Sequence, residues 1–419
     1  MSIEAVSKDA LAPTSRSGSV DRAVQGQLDI AVIGAGLVGL ATSAMLRKQG
    51  HRLTIFESSS FHAEIGAGIV LPPNGWVFFG SNGVENLCSW STQMEMFHIS
   101  GARMDGDDLS DGWTQYPQGY FMAHRVDLHK ELMRLALDSD ALTFPPASIH
   151  LGAPIKAVDF DSERPSVTAS SGEEFKFDLV LGTDGIKSTV RECMVGADYN
   201  APPTQLAFYR WMIDLKKNPE LCWMRDDRNT PVRGGDLINC SAAHHDTRDQ
   251  TIVAGQILSE DWVAAEWNAE TPLDTFREAF EDFDDKFKPL VAVAEKPGTW
   301  QLRKLPPLPT WVKGNVALLG DAAHAMFPTY GQGFAVGLED AGVLATLFPR
   351  GTKPSEIGAR LKTFQELRKL RAERVSQMST DAYKEPDEDA PEGSFSGWLV
   401  PEFLDHDSVA VAKDAVLKM

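Results

Sequence analysis

The run Gly34-Ala35-Gly36-Leu37-Val38-Gly39 constrains this chain more than any other stretch, because of what flanks it. Residues 28–33, Leu-Asp-Ile-Ala-Val-Ile, form the short apolar, β-branched run expected of a buried parallel strand. After the glycines, Leu37, Leu40, Ala41, Ala44 and Met45 follow a helical period, and Gly50 is placed to end that helix. A second strand, Arg52–Phe56, then delivers Glu57 eighteen residues beyond Gly39. Strand, glycine turn, helix, strand and acid in this order predict a dinucleotide-binding βαβ unit. Gly34 permits the tight turn, Gly36 lets the backbone approach a pyrophosphate, and Gly39 lets helix and strand pack closely. The helix start at Leu37 and Val38 offers free N–H groups and positive dipole to phosphate. Glu57 can accept from ribose hydroxyls and disfavours a 2′-phosphate, so FAD and NAD suit the site better than NADP.

A distant segment separates those two ligands. Asn315–Leu319 reads as a strand, followed by Gly320-Asp321-Ala322-Ala323-His324, then Pro328, Gly331-Gln332-Gly333 and a helical stretch from Phe334 to Phe348. A carboxylate at a strand end, Asp321, can bind a ribitol hydroxyl. The glycine-rich helix start at Gly331, Gly333 and Phe334 can set N–H groups against a flavin pyrimidine. An ordinary dehydrogenase has no use for such a segment, so the pattern favours FAD; a plain strand–helix turn capped by Asp321 is the alternative. Between the two segments, Phe175–Gly182 reads as one strand delivering Thr183-Asp184-Gly185, with Ser188 as cap of the next helix.

Taken in order, Gly34–Gly39 with Glu57, Asp184-Gly185 and Gly320-Asp321 resemble the three fingerprints of the single-component (group A) flavoprotein aromatic hydroxylases. The likeness is to the salicylate-hydroxylase-like branch, which includes fungal secondary-metabolism monooxygenases. Glu64–Ile69, Pro73-Asn74-Gly75 and His124–Leu128 add local matches, and the resemblance spans about residues 29–375. It implies an α/β fold with an α+β insertion: a Rossmann-like FAD-binding domain (28–93, 121–198 and 300–350), an inserted antiparallel-sheet substrate domain (94–120 and 199–299) and C-terminal helices (351–419). Residues 1–27 are expected to form a flexible arm. By the same resemblance Gly68 lies in the FAD site, Arg125 contacts the ribityl-phosphate region, Asp184 supports FAD and a transient nicotinamide, Asp321 binds the ribitol, and Pro328 sits beside the reactive face of the flavin. The family commonly has Asn two positions after the third glycine of the pyrimidine loop. This chain has Ala335, so contacts there are expected to rest on backbone groups.

The implied activity is a monooxygenase cycle. NADPH or NADH reduces bound FAD, a flavin C4a-hydroperoxide forms with O2, and a bulky phenolic or indole-type metabolite is hydroxylated or epoxidised. Decarboxylative hydroxylation of a salicylate, flavin-dependent halogenation and non-catalytic nucleotide binding are the alternatives. Arg210-Trp211-Met212-Ile213-Asp214 does not supply the Trp-x-Trp-x-Ile-Pro segment normal in the halogenases.

Between Arg191 and Trp300 the βαβ rhythm stops. Leu206–Leu215, Asp236–Ala243 and Thr251–Leu258 read as strands and Leu273–Phe287 as an amphipathic helix, with Met94–Met104 expected to extend the same sheet. Tyr209-Arg210 resembles the family's Tyr-Arg on the first strand of that sheet, and both are candidate catalytic residues. Alternation places Tyr209 and Trp211 on one face and Arg210 on the other. Arg210 is read either as stabilising a phenolate or carbonyl oxygen or as a solvent-facing strand residue. His244-His245 is a proton-relay candidate, although a surface turn explains it as well. Trp211, Trp223, Trp262 and Trp267 suit either core packing or stacking on a planar substrate.

Forty Lys and Arg against 59 Asp and Glu give a net charge of −19, which argues against nucleic acid as the main partner. Four scattered cysteines without paired spacing argue for a reduced, cytoplasmic protein without a metal site. No run is apolar enough for stable membrane insertion. The expected partners are a small aromatic substrate and O2, with a monomer or homodimer as the assembly.

Overall fold

The computed structural model describes residues 26–60, 68–75, 97–98, 121–141, 144–214, 217–221, 250–258, 268–270, 272–278, 280–281, 288–295, 297–381 and 401–419. Its central sheet contains β1 (Asp29–Ile33), β2 (Arg52–Glu57), β6 (Ser148–Leu151), β10 (Leu179–Gly182), β15 (Val312–Lys313) and β16 (Val316–Leu318). The order is β15-β16-β10-β1-β2-β6, parallel throughout except for β15 at the edge. Strands β10 and β16 are buried along their whole length, which is why their sequences are unbroken apolar runs. The order reverses at β1, flanked by β2 and β10, and such a switch point leaves a crevice beyond the strand ends. Helix α1 (Leu37–Lys48) packs against α2 (Arg125–Leu137) and α7 (Gln332–Leu347). Gly50, at φ 83°, follows its end as the sequence predicts.

The segment read as one strand, Phe175–Gly182, is two. β9 (Glu174–Lys176) joins β7 (Ile155–Asp159) and β8 (Ser166–Ala169) in a separate antiparallel sheet, while β10 enters the core. Hydrogen bonding makes the switch. Phe177 N still donates to Pro165 O at 3.0 Å, but Asp178 N donates to Asp29 O at 2.8 Å, and the Asp178 carboxylate accepts from Asp29 N at 2.9 Å.

The inserted sheet has the order β12-β11-β14-β13, with β11 (Pro203–Asp214), β12 (Gln250–Leu258), β13 (Asn268–Glu270) and β14 (Gly298–Arg303), all pairs antiparallel. It therefore runs past the expected boundary at residue 300. β4 (Phe97–His98) pairs with β5 (Phe121–His124), itself paired to β3 (Gly68–Leu71), so this part of Met94–Met104 belongs to a third sheet rather than the inserted one. Of the expected helix Leu273–Phe287, α4 spans Leu273–Glu278 and Phe280 and Glu281 lie in a turn, while residues 279 and 282–287 lie outside the described residues; α5 (Lys288–Ala292) follows.

Helix α3 (Thr189–Val195) follows the central motif and α6 (Asp321–His324) the third. At the C-terminal end, α8 (Ile357–Asp381) and α10 (Ser408–Val416) pack on α7, with the short α9 (Pro401–Leu404) between them. Strand Asp236–Ala243, His244, His245, Trp223, Trp262, Trp267 and the stretch 384–396 lie outside the described residues, as does the arm through residue 25. No helix among the described residues is long and apolar enough to cross a membrane.

Candidate functional site

The glycine loop does three different jobs with its three glycines. Gly34 has φ 102°, and a β-carbon there would lie 2.7 Å from Thr183 O. A β-carbon on Gly39 would collide with Gly34 O, so that position holds α1 tight against the turn. At Gly36 an added β-carbon would meet nothing within 4 Å, leaving the space a pyrophosphate needs. Glu57 turns back onto the loop: its carboxylate accepts from Ala35 N at 2.8 Å and from Ser59 N at 2.7 Å. His129, buried on α2, bonds Ala35 O at 2.9 Å and fixes the loop from the other side.

The starts of α1 and α7 carry no side-chain cap among the described residues. The N-cap of α1 is Gly36 and that of α7 is Gly331, held at φ 62°; neither has a side chain to satisfy the first-turn N–H groups. Leu37 and Val38 open the first turn of α1, and Gly333 and Phe334, both partly exposed, open that of α7. By contrast α3 is closed by the Ser188 hydroxyl accepting from Arg191 N at 2.9 Å. Open donors at α1 and α7 suit an anionic ligand, such as pyrophosphate at one and reduced flavin at the other.

The central motif is stitched onto the glycine loop. Thr183 Oγ1 donates to Ile33 O and Gly34 O, each at 2.9 Å. The Asp184 carboxylate accepts from Ser188 Oγ at 2.5 Å and from Val190 N at 3.1 Å, so part of its bonding capacity organises the turn itself. Burial still pushes its pKa above the ordinary carboxylate value. Arg191, fully buried, donates to Ala322 O at 3.1 Å and to Ile186 O at 2.5 Å. Burial lowers its pKa, and the nearby charges of Asp184 and Asp321 oppose that shift. Arg191 thus joins the second and third motifs, a role the sequence reading missed.

Asp321 heads α6, directly after β16 and Gly320. It is open to solvent, yet desolvation raises its pKa against the opposing charges of His324, Arg125 and Arg191. Arg125 starts α2 immediately after β5, whose His124 pairs with Gly68, and its charge reaches Asp321. Pro328 is exposed and begins the 3-10 turn Pro328–Tyr330 that delivers Gly331. Behind α6, Asp340 accepts from Gly320 N at 3.0 Å and from His324 Nε2 at 2.7 Å, and Arg368 Nε donates to it at 2.9 Å. His324, Glu339, Asp340, Arg368 and Asn74 form a buried polar network that the sequence reading did not identify. Adjacent acids at Glu339 and Asp340 inside an otherwise apolar helix were the available signal.

Tyr209 requires a correction. Its ring is 8% exposed and lies 5.6 Å from both Phe276 and Phe280, among the residues that cover the inserted sheet. Trp211 shares that face, 4.9 Å from Phe276, with Nε1 donating to Leu290 O at 3.0 Å. These aromatics form a core under α4 and α5, which withdraws Tyr209 from the reacting site and Trp211 from substrate stacking. Arg210 follows on β11, its backbone paired with Ala254 and Gly298.

The arrangement fits FAD: an open place at Gly36 for the pyrophosphate, Glu57 bonded to the glycine loop, the exposed Asp321 after β16, and the bare start of α7. Comparison with known proteins agrees. A family model described as FAD binding domain matches residues 27–379. Hispidin-3-hydroxylase of Neonothopanus nambi is 36% identical over 400 residues, 87% of this chain and 90% of its own length. The FAD-dependent monooxygenase cfoG of Aspergillus candidus is 29% identical over 371 residues, 84% of each chain. A salicylate hydroxylase substrate complex shares the fold with a TM-score of 0.72 at 22% identity, covering 93% of this chain and 98% of that one. The chain belongs to the FAD binding domain family, among the FAD-dependent monooxygenases with the aromatic-hydroxylase fold.

Proposed function

We propose that this enzyme uses NADPH or NADH and O2 to hydroxylate an electron-rich, hydroxyl-bearing aromatic compound, with hispidin as the first substrate to try. The observation that carries this reading is the near full-length likeness to a hispidin hydroxylase, combined with three motifs that follow adjacent strands of the central sheet and are joined by hydrogen bonds. In this reading, Gly36, Leu37, Val38 and Arg125 hold the pyrophosphate, Glu57 a ribose, Asp321 the ribitol, and the start of α7 the pyrimidine. FAD, when bound, supplies electron transfer from the nicotinamide and activation of dioxygen.

The chain's own tasks are binding, orientation and exclusion of water. The aromatic core of Tyr209, Trp211, Phe276 and Phe280 stiffens β11 from behind. Arg210, on the same strand, is proposed to hold a phenolate or carbonyl oxygen of the substrate. Pro328 and the turn it opens form the wall beside the flavin.

The test measures NADPH and NADH oxidation by the FAD-loaded enzyme with hispidin, indoles and salicylates, and weighs the products. A product gaining one oxygen from hispidin supports the reading. Oxidation coupled only to loss of carbon dioxide from salicylate, or to indole oxygenation, would replace it.

A further inference from the structure

The turn Pro73-Asn74-Gly75 touches the beginning of α7. A β-carbon on Gly75 would lie 3.2 Å from the Ala335 β-carbon, so only glycine lets the turn approach this closely without displacing the helix. The approach brings the buried Asn74 amide between two α7 side chains. Asn74 Nδ2 donates to Gln332 Oε1 at 2.9 Å and to Glu339 Oε1 at 2.7 Å. Among the described residues its own Oδ1 is buried without a partner, and the amide's donors go to this bridge. Gln332 is the first residue of α7, beside Gly331 and Gly333, and is only 1% exposed.

Glu339 is anchored from the far side. Arg371 donates to both of its oxygens at 2.7 Å, and Arg368 NH1 pairs with Oε2 at 2.7 Å. These charges hold the Glu339 carboxyl at a pKa of about 2 despite its burial. Arg371 also donates to the carbonyls of Glu402 (3.2 Å) and Phe403 (3.0 Å), and the Phe403 ring meets Tyr330 at 5.8 Å, two residues before Gln332. The C-terminal helices are thereby tied to α7 at Glu339 and to Tyr330 in the turn that opens it.

We propose that Asn74 is a positioning residue for the flavin. Resting on the FAD reading above, the inference is that Asn74 transmits the fixed charge cluster Glu339–Arg368–Arg371 to Gln332. The bridge holds the uncapped first turn of α7 in place against the flavin pyrimidine. Asn74 acts through Gln332 and does not itself touch the ring. Cutting the bridge leaves the Glu339 ion pairs whole but lets Gly331–Gly333 move, which weakens FAD and loosens the ring.

The experiment uses Asn74→Leu, Gln332→Leu and the double variant, each stripped of FAD and retitrated by quenching of flavin fluorescence. The expected result is a roughly tenfold loss of FAD affinity in each single variant, on the scale of one lost hydrogen bond. The double variant should be no weaker than the worse single one, because both remove the same link. Bound-flavin anisotropy should fall in all three. The apoprotein melting temperature should fall as well, because buried polar groups lose a partner. A melting shift with unchanged anisotropy and affinity would mark a purely structural role and overturn the proposal. Wild-type affinity in Asn74→Leu, or losses that multiply in the double variant, would overturn the proposal. If Asn74→Leu fails to fold, Gln332→Leu alone decides it: unchanged affinity and anisotropy sink the idea. Failure of wild-type apoprotein to bind FAD at all would instead sink the functional reading.

Discussion

Val38, in the first turn of α1, lies against Gly337 of α7 so closely that a β-carbon on Gly337 would sit 2.5 Å from Val38 Cγ2. The same side chain blocks Gly320, where an added β-carbon would be 3.1 Å away. The first and third motifs, far apart in sequence, meet across one valine.

Gly337→Ala should therefore destabilise the enzyme, although alanine is the better helix former. The helical gain is about 0.5–1 kcal/mol, while overpacking a β-branched neighbour costs about 1–3 kcal/mol. Val38 has little rotamer freedom with which to move aside. Thermal melts of the FAD-loaded protein should show a lower midpoint for Gly337→Ala and substantial recovery in Val38→Ala/Gly337→Ala. An unshifted single variant would mean that the notch accepts the methyl group.

Asp321→Asn should separate stability from binding. Burial disfavours the Asp321 charge in the absence of FAD, so the neutral amide relieves the apoprotein. The amide is also a poorer acceptor for a ribitol hydroxyl. The apoprotein should melt no lower than wild type, while FAD affinity falls by about tenfold or more, as expected for a charged hydrogen bond. Stoichiometric flavin at wild-type affinity in the purified variant would remove Asp321 from the ribitol site.

Tyr209 and Arg210, adjacent in sequence, should behave oppositely. Tyr209→Phe keeps the ring that packs on Phe276 and Phe280 and should leave turnover of an accepted substrate near wild type. Arg210→Ala should retain FAD and lose product formation. Steady-state kinetics on both variants checks the pair: a kcat loss in Tyr209→Phe would return the hydroxyl to the site, and wild-type turnover in Arg210→Ala would exclude the guanidinium.

His51 predicts a pH effect on stability. Leu28 N donates to His51 Nδ1 at 3.2 Å, which leaves Nε2–H to donate to Phe348 O at 2.8 Å. The bond that Nδ1 accepts requires the neutral ring; the Nε2–H donor serves either form, and burial outweighs it to lower the pKa below 6.5. A depressed folded-state pKa gives stability that is present above the unfolded value and lost as pH falls below it. The melting midpoint should thus fall on going from pH 7 to pH 5 more steeply in wild type than in His51→Gln. Parallel slopes would remove His51 as the cause.

The local elements around the site follow from short-range chemistry. The apolar run 28–33, the glycines at 34, 36 and 39, and Glu57 specify strand, turn, helix and acid within one βαβ unit, because each needs only its neighbours. Ser188 likewise caps α3 as its type and place suggest. Phe175–Gly182 misled because both halves have strand character; only pairing with Pro165 and Asp29 divides them. Tyr209 misled similarly, since alternation gives two faces and cannot name the one that Phe276 covers.

Sequence alone therefore determined the nucleotide-binding unit, the flavin class and the order of the motifs. Tertiary structure decided how those motifs are held. Val38 against Gly320 and Gly337, Arg191 against Ala322, and Asn74 between Gln332 and Glu339 are long-range contacts with no local periodicity to announce them. A buried polar group reveals its purpose only when its partners arrive, and here the fold brings them from distant parts of the chain.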